Sequence, residues 1–98
     1  MNKYLLLWAL DKARIPNDPR ERGAGWGILM NMVKTDREKG ILKDWGVFPS
    51  EGRGFSIVEG SALDVMKMTE QYAPFVNFEI HPAATMKEAE QLIRHLAG

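Results

Sequence analysis

Between Lys3 and Leu10 the apolar residues occupy both sides of an extended chain. Leu5, Leu7 and Ala9 share one side, and Tyr4, Leu6 and Trp8 share the other. A strand that is apolar on both sides is covered on both sides, so residues 3–10 are expected as a central strand. The next pattern is helical. Asp18 suits an N-cap, Pro19 the first helical position and Glu21 the acidic end of a capping box. Trp26, Leu29, Met30 and Val33 then recur at three- and four-residue spacing. Lys34, Arg37 and Lys39 load the end of this helix with positive charge, and Gly40 stops it.

The segments 41–49 ("ILKDWGVFP") and 53–60 ("RGFSIVEG") read as two strands joined through "SEG", an antiparallel hairpin. Ser61 and Asp64 form a capping box for a second helix. Its expected inward stripe is Ala62, Val65, Met66, Thr69 and Tyr72, and Pro74 ends it. Residues 75–83 ("FVNFEIHPA") alternate, with Val76, Phe78 and Ile80 opposite Asn77, Glu79 and His81, as in a half-buried strand. Thr85 and Glu88 open a last helix striped by Ala89, Leu92, Ile93 and Leu96.

The order β-α-β-β-α-β followed by a helix predicts an α+β fold, the ferredoxin-like split βαβ plan, as one domain over residues 1–98. Right-handed crossovers give an antiparallel four-stranded sheet in the order 4-1-3-2, with the first and third strands central. One layer of helices covers one face of such a sheet. Tyr4, Leu6, Trp8 and Val58 are expected on the face left over. Roughly 500 Å² of apolar sheet in water is unusual for a monomer. A second copy packed sheet on sheet is the expected cover, and the C-terminal helix folded over that face is the rival.

Composition narrows the function classes. Thirteen basic and thirteen acidic residues cancel over 98 residues, and no basic run gathers nucleic acid or anionic lipid. With no cysteine there is no disulfide, thiolate nucleophile or cysteine-ligated metal. The seven-residue apolar run Tyr4–Leu10 is too short for a membrane span and lacks a cleavage site, so a cytoplasmic protein is expected. The glycines of "RGAGWGIL" (Gly23, Gly25, Gly27) suggest a phosphate loop, but they follow a helix cap and lie in the second and third helical turns, where the amides already serve the helix. They mark close approach by another backbone, a frayed first half of the helix, or room for a ligand.

The segments "LKDWGVFP", "GRGFSIVEG" and "FEIHPA" resemble a group of small bacterial and archaeal proteins of unknown function in the dimeric α+β barrel superfamily, and the likeness runs from "KYLLLW" to "HPAATMKEAEQLI". The resemblance implies a fold and a dimer. The wider superfamily includes cofactor-free monooxygenases, muconolactone-isomerase-like enzymes and haem-binding members, but no catalytic set of theirs is matched here.

Few residues could carry chemistry. His81 and Glu79 lie two apart on one strand face, a candidate base and its partner, or equally a strand-end histidine paired with its neighbour. Tyr4, Trp8, Asp44 and Ser56 are the candidate ligand contacts. Against this, the aromatic pair suits interface packing and Asp44 suits a protective edge charge. Met30, Met32, Met66 and Met68 suggest an adaptable apolar space between helices and sheet. No metal-ligand spacing appears, and no cofactor is expected. The sequence therefore points to a homodimeric domain that binds a small apolar molecule beside its sheet. A cofactor-independent monooxygenase or isomerase acting on an aromatic or lactone-like compound, and a structural interaction domain using its sheet edges, are the alternatives.

Overall fold

The computed structural model describes residues 2–49 and 52–98. Ser50 and Glu51, expected in the hairpin turn and beside Arg53 at its tip, lie outside the described residues. The elements are β1 (Asn2–Leu10), a 3-10 turn (Lys12–Arg14), α1 (Pro19–Glu38), β2 (Leu42–Phe48), β3 (Arg53–Gly60), α2 (Ala62–Glu70), β4 (Val76–Ala83) and α3 (Met86–Ala97). The four strands form one antiparallel sheet ordered β2-β3-β1-β4. Read from the other edge, this is the expected 4-1-3-2 order of the ferredoxin-like plan.

Local chemistry fixes the helix starts. Asp18 accepts a hydrogen bond from the Arg20 amide at 3.1 Å. Ser61 with Asp64, and Thr85 with Glu88, close reciprocal capping boxes. Bonds from the Ser61 and Thr85 amides hold the Asp64 and Glu88 carboxyls below the usual carboxylate range.

Register decides which side chains meet the helices. Leu6 lies between Ser56 and Ile80, and Trp8 between Gly54 and Phe78. Tyr4, Leu6, Trp8, Ser56 and Val58 thus share a face with the apolar side of β4. The core forms there: Tyr4, Leu6, Leu42 and Val58 from the sheet pack with Val65, Met68 and Tyr72 from α2 and the turn after it. This reverses the expected assignment of faces. The chain's own helices cover Tyr4, Leu6, Trp8 and Val58, and the face left open carries Leu5, Leu7, Phe55 and Ile57. With β1 apolar on both sides, alternation alone cannot say which side faces the helices. The β1–β4 register settles it by setting Ile80 beside Leu6.

The helices differ from expectation in phase. On α2 the buried residues are Val65 and Met68, continued by Tyr72, whereas Ala62 and Met66 are exposed. On α3 no residue is buried, and Leu92, Ile93 and Leu96 face solvent. The helix does not cover the open sheet face. The molecule measures 61 × 25 × 18 Å, with a radius of gyration of 16.2 Å, against about 13 Å for a compact chain of this length.

Gly23, Gly25 and Gly27 lie inside an unbroken helix, and a Cβ on any of them would meet nothing within 4 Å. No other backbone approaches them, and open space lies beside the helix. Gly23 and Gly27 are exposed. Gly23→Ala and Gly27→Ala are therefore each expected to stabilise the protein by about 1 kcal/mol, because alanine loses less backbone freedom in a helix. Calorimetry should show melting raised by roughly 4–8 °C per substitution; unchanged melting would mean that α1 is not helical at these positions in solution.

Candidate functional site

Along α1, residues 22, 25, 26, 29, 33 and 36 recur at three- and four-residue spacing and form one stripe. The stripe faces the sheet, yet α1 does not close down on it. A cavity of about 820 Å³, half open to solvent, lies between them, within the range of small-molecule sites. Leu29 and Val33 line it from α1, Trp8, Trp45 and Phe78 from the sheet, and Tyr72 from the turn after α2. Trp26, 48% exposed, stands at the rim with Lys12 and Arg22. The Arg22 guanidinium donates to the carbonyls of Pro16 and Asn17, at 3.2 and 2.7 Å.

The aromatic wall depends on a glycine. Trp8 on β1 and Trp45 on β2 are separated by β3, yet their rings stack with centroids 5.5 Å apart and planes within 9°. Trp8 pairs with Gly54 on the intervening strand, and its ring occupies the space a side chain there would take. The Trp8 indole N–H donates to the Phe55 carbonyl at 3.3 Å, which fixes the ring.

Two polar side chains are buried among the described residues, Asp36 at 2% exposure and Ser56 at 4%, and both open on this cavity. The Tyr72 hydroxyl donates to Asp36 Oδ2 at 2.6 Å. Burial, then the hydrogen bond to Asp36 and its charge, push the Tyr72 phenol far above its ordinary range, so it remains a donor. Tyr72 also meets Phe78 edge-on, with centroids 5.7 Å apart. Sequence reasoning did not single out Asp36, which sits within the charged stretch "KTDREK". The available signal was its phase: it follows Val33 by three and Leu29 by seven, on the apolar stripe.

The cavity gathers some of the sequence candidates and not others. Trp8 and Ser56 line it. Tyr4 belongs to the adjoining core. Met30 and Met68 reach the cavity, whereas Met66 is exposed. His81 and Glu79 lie on the opposite face of the sheet. They pair closely, His81 Nε2 to Glu79 Oε2 at 2.6 Å, but their side chains are 53% and 66% exposed. Tyr4 and Trp8 face the helices, so they share no pocket with His81. Asp44 shares the open face and accepts from its neighbour's amide, Trp45 N, at 2.9 Å. The row Asp44–Ile57–Leu5–His81 runs across all four strands, so Asp44 and His81 are about 14 Å apart at the usual strand spacing. Among the described residues no three His, Asp or Glu side chains converge as a metal site.

On that open face, Leu5, Leu7, Phe55 and Ile57 form an apolar island. Asp44, Glu79 and His81 sit at its edges, with Lys3 and Glu59 at one end and Arg53 at the other. No described helix is long and apolar enough to cross a membrane.

Residues 3–97 match the family described as "Domain of unknown function (DUF3303)", and the chain belongs to that family. No curated protein matches the chain.

Proposed function

We propose, starting from a DUF3303 family member, that the protein binds a small, largely apolar molecule in the cavity between α1 and the sheet. One observation carries this reading: both buried polar side chains, Asp36 and Ser56, open on a single aromatic-walled cavity of about 820 Å³. A few convergent polar groups in an apolar concavity are how small-molecule sites fix orientation.

Indole is a suitable probe of shape. Titration followed by the ring N–H resonances of Trp8 and Trp45 should give saturable shifts. Val33→Trp, which narrows the cavity from α1, should weaken the binding. Absence of a saturable shift at millimolar indole in the wild-type protein would refute the reading.

The same proposal includes a two-fold homodimer of the dimeric α+β barrel kind, with the open faces packed together. An apolar island ringed by charges is the pattern of a subunit interface. Light scattering should then return twice the 11.1 kDa mass of one chain.

A further inference from the structure

We propose that the ligand of this cavity is an organic ammonium, an amine with a flat apolar body, whose cationic head is received by Asp36. The inference rests on the small-molecule reading above and deepens it by naming the ligand class.

Asp36 and Ser56 are the buried polar side chains of the lining. Asp36 is 2% exposed, and among the described residues no lysine, arginine or histidine pairs with it. Buried carboxylates are ordinarily paired. Its one protein donor there is the Tyr72 hydroxyl, on Oδ2. Ser56, 4% exposed, has a hydroxyl with no protein partner among the described residues. Neither side chain has a polar atom sealed away from the cavity without a partner. Two donors of the wall are already committed, Tyr72 to Asp36 and Trp8 to the Phe55 carbonyl. What remains is one carboxyl oxygen that can only accept, and a Ser56 hydroxyl that can accept or donate; the charged acceptor sets the requirement. A ligand that satisfies it brings donors, and an ammonium brings three with the complementary charge.

The walls suit the same ligand. The lining is rich in aromatic rings, with Trp8 stacked on Trp45 and Tyr72 edge-on to Phe78, and aromatic surroundings suit both cations and flat apolar bodies. The basic residues of the lining do not oppose this placement. Arg22 and Asp36 are both on α1, fourteen positions apart, which is about 21 Å of helix. Lys12 lies in the 3-10 turn before α1, in the same connection whose Pro16 and Asn17 carbonyls hold Arg22.

The test uses three ligands sharing one ring system: tryptamine, indole and indole-3-propionate. Affinities come from the Trp8 and Trp45 resonances at pH 7. Tryptamine is expected to bind at least about tenfold more tightly than indole-3-propionate, the ratio that one charge-assisted hydrogen bond supplies. Asp36→Asn, which preserves volume and the acceptor for Tyr72, should remove that preference while leaving indole binding within about twofold. Ser56→Ala should weaken tryptamine several-fold. Indole binding with no gain for tryptamine, or a preference that survives Asp36→Asn, overturns this inference and leaves the small-molecule reading standing. Binding of none of the three overturns both. The wild-type comparison needs no variant, so a misfolded mutant cannot shield the claim.

Discussion

Gly54→Ala is expected to destabilise the protein by about 3 kcal/mol and to lower its melting temperature by about 10 °C or more. Gly54 is buried in the central strand β3. A Cβ there would strike the Gly46 carbonyl oxygen on β2 and the Trp8 ring, whose Cε2 would lie 2.6 Å away. The carbonyl belongs to the neighbouring strand and cannot swing aside. The Trp8 ring is held by its bond to Phe55 and by its stack on Trp45. Overpacking against a fixed backbone is relieved only by shifting strands. Gly46→Ala is the control. Its Cβ would meet the Phe55 ring, a side chain that is only partly buried and can rotate away. Thermal melts should separate the two variants clearly. A Gly54→Ala protein melting within two or three degrees of wild type would show that the Trp8–Trp45 wall is not built over this glycine.

That glycine also shows what the sequence could and could not disclose. The strand "RGFSIVEG" was legible from its alternation, and the hairpin from its short polar connection. The reason for glycine at position 54 was not, because it lies in the meeting of Trp8 and Trp45, 37 residues apart in the chain. Helix starts were legible for the opposite reason. Ser61 with Asp64 and Thr85 with Glu88 complete their chemistry within four residues.

The site follows the same division. Trp8 and Ser56 were singled out as ligand contacts, and both line the cavity. Asp36 was not, since its neighbours Lys34, Arg37, Glu38 and Lys39 make it resemble a solvated helix end. Only its phase relative to Leu29 and Val33 separates it from them. The pairing of Asp36 with Tyr72 spans 36 positions and depends on how α1 and the turn after α2 approach each other. The faces of β1 were reversed because Leu5 and Leu6 are equally apolar. What distinguishes them is the partner strand, and register between β1 and β4 is not written in either strand alone.

Leu5, Leu6 and Leu7 turn this point into the second large prediction. Leu6 is fully buried under the helices, between Ser56 and Ile80. Leu6→Ala removes three carbons from the best-covered position of β1 and leaves a void beside Val58 and Val65, which are themselves almost fully buried. Transfer and cavity terms together amount to about 3–5 kcal/mol. Urea unfolding should show the midpoint reduced accordingly with an unchanged slope. A loss of only about 1 kcal/mol would place Leu6 outside the core. Leu7, one residue on, points to the open face and is partly exposed. In an isolated subunit Leu7→Ala should cost well under half as much, since less apolar area leaves water there. If two subunits share that face, the cost rises and becomes dependent on protein concentration, because dissociation then accompanies unfolding. The loss at Leu6 is large at every concentration, so comparing the neighbours in dilute and concentrated protein separates helix cover from subunit cover.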